Sequence, residues 1–330
     1  LAVAGGSSGD RKEFANSLTG REVEFGSEAL IALAVRPAQT VMNAVVGLAG
    51  LPFTLAALEA GNRLALANKE SLVAAGPVLQ TALSRGGGEL IPVDSEHSAI
   101  LQCLMGEDQG ALARLILTAS GGPFRGWSRE EMEEVTPAQA LKHPNWVMGK
   151  RITVDSATLV NKAFEVIEAN QLFGISFDQI EVVIHPQSVV HSMVEFSDGS
   201  TKAHLGYPDM RIPIAFALTY PVRRPGLVDG FRWPGQSLTF EDVDLEAFPA
   251  LALGFAAGRQ GGSAPTVFNA TDEIAVEAFL DGRIGFNGIS RVISDALETV
   301  PHSNPSNLEE VIEVDRDARA TAASLIAGAC

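Results

Sequence analysis

The sequence predicts an α/β chain that ends in a helical bundle, and three observations carry that prediction. Short apolar runs alternate with helical ones through the first third, strands and helices mix through the centre, and the last part is helical and Ala-rich. At about 150 residues per domain, 330 residues give roughly two domains. A hydrophobic fraction of 46% against a charged fraction of 19% supplies a large core and excludes disorder for most of the chain.

Leu1 to Ala4 forms a short strand ending at the Gly-rich turn Gly5-Gly6-Ser7-Ser8-Gly9. Thr40 to Val46 is a second strand, closed by Gly47-Leu48-Ala49-Gly50 before a helix over Leu51 to Ala60. Arg63 to Ala67 is a third, after which Asn68-Lys69-Glu70-Ser71 opens another helix. Leu90 to Val93 is a fourth, ending at Asp94-Ser95-Glu96-His97. Ligands of parallel sheets sit beyond the carboxyl ends of the strands, where these polar clusters fall. Arg114 to Thr118 is a further strand, closed by Ser120-Gly121-Gly122-Pro123. Residues 143–150 read as a loop, and Ser156 starts a helix reaching about Phe173. Strands over Glu181 to Ile184 and Ser188 to Phe196 follow, and Asp198-Gly199 turns the chain into Thr201 to Leu205. Residues 221–245, with three Pro and three Gly, form a connecting arm. Helices over 249–259, 265–282, 287–299 and 307–328 close the chain as a small bundle.

Basic residues number 24 and acidic ones 40, a net charge of −16. Such a polyanion repels phosphate backbones and anionic surfaces, which excludes general nucleic-acid or membrane binding and still permits a local basic pocket. The two cysteines, Cys103 and Cys330, form no CxxC or Cys/His spacing. That excludes a disulfide framework and a thiolate zinc site, and fits a reducing compartment. No run of about 18 apolar residues is present to span a bilayer. Leu1-Ala2-Val3-Ala4-Gly5-Gly6 is too short and uncharged for a secretory signal, and reads as a start within a strand, hence as an incomplete N-terminus.

Asp94-Ser95-Glu96 ends an apolar strand. In an extended segment residues i and i+2 project to one side, so both carboxylates face one point and need a counter-charge. An oxygen-preferring divalent cation, Mg2+ or Mn2+, is the simplest one. A solvated acidic turn, or an N-cap for a helix over 97–104, accounts for the same residues. On the helix from Ser156, Asn161 and Glu165 lie one turn apart on a face that Glu168 continues, and Lys162 adds a charge. Ser156 stands at the N-cap, where a bound phosphate would meet free N–H groups. A plain amphipathic helix is the other reading. Ser120-Gly121-Gly122 can bring N–H groups to an oxyanion, or be only a tight turn. His143, Trp146 and Met148, beside Pro144 and Gly149, suit a lid that excludes water, or a static aromatic anchor. His185 and His191, near strand ends on mostly apolar strands, read as structural or as supports behind the site. Gly5, Gly6 and Ser7 at one strand end, with Asn68 and Glu70 at another, can touch a dinucleotide, although the GxGxxG fingerprint is absent.

Taken together, these segments resemble one family. The runs Leu66-Ala67-Asn68-Lys69-Glu70-Ser71, Val93-Asp94-Ser95-Glu96-His97, Ser120-Gly121-Gly122-Pro123-Phe124-Arg125 and His143-Pro144-Asn145-Trp146 are similar to those of the 1-deoxy-D-xylulose 5-phosphate reductoisomerases. So are Val154-Asp155-Ser156-Ala157-Thr158 through Asn161-Lys162, His185-Pro186-Gln187-Ser188, and Leu205-Gly206 with Pro208-Asp209-Met210-Arg211. Asn269-Ala270, Asp272-Glu273 and Ala278-Phe279 continue the pattern, which runs in order over about residues 44–330. Each run is weak singly, and the ordered set is specific.

The resemblance implies an N-terminally incomplete, Rossmann-like NADPH-binding domain over 1–93 and a catalytic and dimerisation α/β domain over 94–220. An arm over 221–245 and a C-terminal helical bundle over 246–330 follow. It implies conversion of 1-deoxy-D-xylulose 5-phosphate to 2-C-methyl-D-erythritol 4-phosphate in isoprenoid biosynthesis, with NADPH and Mn2+ or Mg2+, by a homodimer. By resemblance Asp94, Glu96 and Glu165 are the metal carboxylates, and Lys69 and His143 join them as catalytic residues. Ser95, Ser120, Ser156, Asn161 and Lys162, with Lys69, Glu96, His143 and Glu165, contact the sugar phosphate. Gly5, Gly6, Ser7, Asn68, Glu70 and Gly149 lie on the nucleotide side. Residues 141–151, carrying His143, Trp146 and Met148, match the family's mobile lid.

The family opens with a strand and a GxTGxxG-type turn, and this chain starts at what resembles the second strand, with a shortened stretch over 10–40. These residues alone are therefore expected to bind metal and substrate but hold NADPH poorly. A bacterial cytoplasm is expected ahead of a plastid. Without the resemblance, a metal-dependent sugar-phosphate isomerase or aldolase without redox chemistry, or an inactive fragment, stays open.

Overall fold

Three short strands with continuous apolar faces set the first layer. β3 (Val41–Asn43), β4 (Arg63–Leu66) and β5 (Glu89–Pro92) run parallel in that order, with Leu64 opposite both Val41 and Leu90. Before them β1 (Ala2–Val3) pairs in parallel with β2 (Glu24–Phe25), and α1 (Ser27–Ala34) leads into β3. The computed structural model describes residues 2–3, 24–143 and 148–329. Parallel neighbours need crossover connections. α2 (Leu51–Glu59) makes the first and α3 (Lys69–Gly86) the second. Leu51, Leu58, Leu64, Leu72 and Leu79 bury themselves between these helices and the sheet. Each strand then ends in a polar residue: Asn43, Asn68, and Asp94 just before α4 (Ser95–Leu104).

The central sheet has the order β7-β6-β8-β9. Within it β6 (Leu112–Ala119) pairs in parallel with β7 (Ile180–Ile184) and antiparallel with β8 (Val190–Phe196), and β9 (Thr201–Leu205) follows the Asp198-Gly199 turn. α5 (Pro137–Ala140), α6 (Lys150–Thr158) and α7 (Val160–Phe173) intervene between β6 and β7. The helix expected from Ser156 therefore starts six residues earlier and breaks at Leu159, whose φ of 63° is left-handed. β-Branched Ile152, Thr153 and Val154 weaken the helical signal of α6, and a leucine gives no sign of a left-handed break. After α8 (Arg211–Thr219), residues 221–248 hold no helix, and Glu241 alone bridges to Ile184.

The chain closes with α9 (Pro249–Gln260), α10 (Ala264–Leu280), α11 (Phe286–Thr299) and α12 (Leu308–Ala329). This bundle shares one hydrophobic core with the central sheet, and Phe268 of α10 meets Phe164 of α7 edge to face at 5.5 Å. A Cβ on Gly254 would fall 2.3 Å from that of Ala163, so only glycine lets α9 lie this close to α7. α3 is kinked at Ala75, two residues before Pro77, and Thr266 of the bundle donates a 2.7 Å hydrogen bond to the Ala74 carbonyl there. The bundle thus braces the helix that carries Lys69. No helix among the described residues is long and apolar enough to cross a membrane.

Candidate active site

A cavity of about 330 Å³ opens where the ends of β4, β5 and β6 face the start of α7. Its lining joins Lys69, Asp94, Glu96, Ser120, Asn161 and Glu165, residues that the chain separates widely. Asp94, Glu96 and Glu165 bring carboxylate oxygens within 4.8 Å of one another. Asp94 is not extended in line with Glu96, as the i, i+2 spacing suggests. Asp94 is the N-cap of α4 and Glu96 lies in its first turn. They converge because both stand at one helix N-terminus, where the macrodipole favours negative charge. Glu165 comes across from α7 and is fully buried.

Two ammonium groups compensate this charge. Lys69 pairs with Asp94, donates to Asn161 Oδ1 at 2.8 Å and lies 3.7 Å from Glu165. Lys162 donates to Glu96 at 2.9 Å, to the Thr118 carbonyl at 2.5 Å and to Glu165. Burial, with Glu96 and Asp94 nearby, pushes the Glu165 carboxyl up to about 8. Burial pulls the Lys69 ammonium down, but Asp94, Glu165 and Glu168 outweigh it and raise it well above its ordinary value. Glu168 continues the Asn161–Glu165 face to the edge of this cluster: it lies 3.6 Å from His97 Nδ1 and, with His97, within 4.8 Å of Asp94, while His97 Nε2 meets the Glu165 carbonyl at 2.9 Å. Three hard oxygen donors within reach of one point fit Mg2+ or Mn2+.

The opposite wall suits an anion. Ser120 Oγ accepts from the Gly122 amide at 3.2 Å and lies 3.2 Å from His143 Nε2, and burial lowers the His143 pKa. Gly122 has a φ of 65°, and a Cβ there would sit 3.0 Å from the Ser156 carbonyl, so this turn packs against the end of α6, and Ser120 and Ser156 line the same cavity. Ser156 is not an N-cap, since it lies in the last turn of α6. Asn161 and Lys162 instead occupy the first turn of α7. Ser95 Oγ donates to Glu96 at 2.5 Å, and Met148 also lines the cavity.

Asn68, Glu70 and Gly149 line a second groove, which meets the cavity at Ala67, Lys69, Ile152 and Asn161. Its apolar wall includes Val45 and the exposed Val46. Flat apolar surface beside polar rim groups fits a nicotinamide ring and its ribose. The Asn68 amide is already engaged, donating to the Gly47 carbonyl at 2.9 Å and to Glu70 at 3.1 Å and accepting from Ser71 N at 3.2 Å. Gly5, Gly6, Ser7 and Trp146 lie outside the described residues.

Sequence reasoning missed Arg151. It reaches Glu70, Asp155, Asp272 and Glu273 at 3.4, 3.6, 3.2 and 2.7 Å, tying the groove to α10. It also missed Thr118, Leu159, Ser188 and Met210 in the cavity wall. Leu159 and Ser188 are the two non-glycine residues with positive φ among those described, and such strain gathers at functional sites. A left-handed leucine or serine has no local signature, so no signal in the sequence could have found them.

Known proteins resemble this chain over most of its length. A family model described as 1-deoxy-D-xylulose 5-phosphate reductoisomerase matches residues 7–76. Models of reductoisomerase C-terminal domains match residues 90–173 and 205–321. The reductoisomerase of Pelotomaculum thermopropionicum is 52% identical over 300 residues, covering 90% of this chain and 78% of that protein. That of Heliobacterium modesticaldum is 55% identical over 287 residues, covering 85% and 72%. The solved Zymomonas mobilis enzyme in complex with NADPH superposes with a TM-score of 0.93 at 43% identity, over 98% of this chain and 85% of that one. A reductoisomerase in complex with NADPH, fosmidomycin and magnesium gives 0.91 at 39% identity, over 97% and 85%.

Proposed function

Because the chain belongs to the 1-deoxy-D-xylulose 5-phosphate reductoisomerase family, we propose that its cavity and adjoining groove are the sugar-phosphate and nicotinamide halves of one active site. The chain is an NADP-dependent oxidoreductase, converting 1-deoxy-D-xylulose 5-phosphate to 2-C-methyl-D-erythritol 4-phosphate with NADPH and a divalent metal. The observation that carries the assignment of the site is the meeting of Asp94, Glu96 and Glu165 within 4.8 Å beside the anion-binding wall.

In this reading Asp94, Glu96 and Glu165 hold the metal, which supplies Lewis-acid polarisation of the hydroxy-ketone oxygens when bound. Lys162, Asn161, Ser156, Ser120 and His143 take the phosphate, away from the reacting carbons, so that its binding energy orients them. Lys69 lies between the carboxylates and the nicotinamide groove and is placed to hold a proton or stabilise negative charge on a substrate oxygen. Asn68, Glu70 and Gly149 would border NADPH in the groove, where it would supply hydride when bound. His143 and Met148 line the cavity and would limit water there. The division at 93, 220 and 245 belongs to this reading, as do a homodimer and a bacterial cytoplasm. Dimerisation is checked by sedimentation equilibrium.

The test is NADPH absorbance at the addition of 1-deoxy-D-xylulose 5-phosphate, with and without Mn2+. Oxidation that requires both sugar phosphate and metal is the expected result. Product formation without NADPH loss would point to a redox-free isomerase instead.

A further inference from the structure

We propose that His185 is a positioning residue for substrate, holding the strained turn that carries Ser188 into the cavity wall. The proposal rests on the reading of the cavity as the sugar-phosphate site. Ser188 has a φ of 50°, which a serine adopts only where its surroundings impose it. His185 supplies that constraint. It is fully buried, and its Nε2 lies 3.2 Å from the Val189 amide and 3.1 Å from the Val190 amide. Two N–H donors on one ring nitrogen fix Nε2 as the acceptor, so Nδ1 carries the proton and donates to the Thr239 carbonyl at 2.8 Å. The backbone closes the same turn, since the His185 carbonyl accepts from Ser188 N at 3.0 Å.

The ring is held in turn by the arm. Phe240 stacks on it at 4.7 Å with the planes 16° apart, and Gln187 donates to Thr239 Oγ1 at 2.8 Å. From the turn the order passes inward. Thr118 Oγ1 donates to the Val190 carbonyl at 2.7 Å, and the Thr118 carbonyl accepts from Lys162 at 2.5 Å. Ser188, Val190 and Thr118 all line the cavity. An imidazole outside the cavity lining thus fixes one wall of the site and the backbone oxygen that seats Lys162.

The two amide isosteres separate the halves of the ring. His185→Asn keeps a donor near the Nδ1 position but removes the acceptor for Val189 and Val190. His185→Gln keeps an acceptor near Nε2. The Asn variant should raise the KM for 1-deoxy-D-xylulose 5-phosphate about tenfold while the KM for NADPH and kcat change little. Hydrogen exchange at Val189 and Val190 should quicken in it, and the Gln variant should restore both readouts toward wild type. Faster exchange with an unchanged sugar-phosphate KM would overturn the proposal, and so would equal loss of Tm in both variants with no shift in KM. A wild-type chain that binds no 1-deoxy-D-xylulose 5-phosphate in calorimetric titration with Mn2+ present would instead defeat the reading of the site itself.

Discussion

The Lys162 ammonium stands 2.9 Å from Glu96 Oε1, joining a carboxylate of α4 to a helix that begins more than fifty residues later. The same nitrogen contacts Glu165 and the Thr118 carbonyl, so all three of its hydrogens are used inside the protein. Without metal, this ammonium and that of Lys69 keep three clustered carboxylates tolerable. In the proposed reading these carboxylates would hold a divalent cation in place of the ammonium groups, and Lys162 would be free to turn toward a phosphate.

Lys162→Met tests this exchange of partners. The substitution keeps most of the stem's volume and leaves half-buried Glu96 and fully buried Glu165 short of a counter-charge, at a cost of about 3–5 kcal/mol in the metal-free protein. Saturating Mn2+ should therefore raise the variant's Tm more than wild type's, while the sugar-phosphate KM rises at least about tenfold. Equal Mn2+ shifts in the two proteins would show that the ammonium does not compensate the metal carboxylates.

Glu165→Gln separates ligation from folding. Glu165 is fully buried and accepts from Asn161 Nδ2 at 2.6 Å, a contact that one glutamine oxygen can keep. Its carboxyl is costly to ionise, which offsets the loss of a carboxylate beside Lys162, so the neutral amide should change the Tm little. Mn2+ affinity should fall by about 10–100-fold and turnover by more, because an amide oxygen is a weaker ligand for a hard cation. Calorimetric titration with Mn2+ checks this. Affinity within threefold of wild type, at about RT ln 3 of free energy, would remove Glu165 from the donor set.

The alternation of strands and helices was legible because each apolar run is buried by crossover helices, so β3, β4 and β5 fall within a few residues of their expected limits. The four C-terminal helices were equally plain from their periodicity. The acidic residues of the site were also visible, but their local geometry was not. Asp94 and Glu96 could be read as an extended pair or as a helix N-cap, and they meet at the helix N-terminus. Ser156 was expected to open a helix and nearly ends one, because the break lies at Leu159. What remained hidden is non-local. Lys69 meets Asn161 across 92 positions, and Arg151 meets Glu273 across 122, distances over which no spacing rule reports contact.

The buried acids around Arg151 give a pH dependence of stability. Asp155 and Asp272 are buried beside Arg151, with Glu70 and Glu273 also facing it and Lys69 nearby. Burial and then Asp272 raise the Asp155 pKa well above its ordinary value. Burial and Glu273 carry Asp272 up to about 6, against the opposing pull of Arg151. A carboxyl whose folded pKa lies above its unfolded one stabilises most fully below the unfolded value, near 4, and loses that contribution as pH rises toward the folded value. Asp155→Asn supplies a permanently neutral group that still donates to Asp272. Its stability advantage over wild type should therefore be smallest near pH 4 and grow toward pH 8, at up to about 1.4 kcal/mol per pH unit. Asp272→Asn should not repeat the gain, because it strips Arg151 of a buried partner 3.2 Å away. Urea unfolding of the three proteins at pH 5, 6.5 and 8 measures these differences, and a gap between Asp155→Asn and wild type that stays constant across the series would mean that Asp155 is ionised in the folded chain.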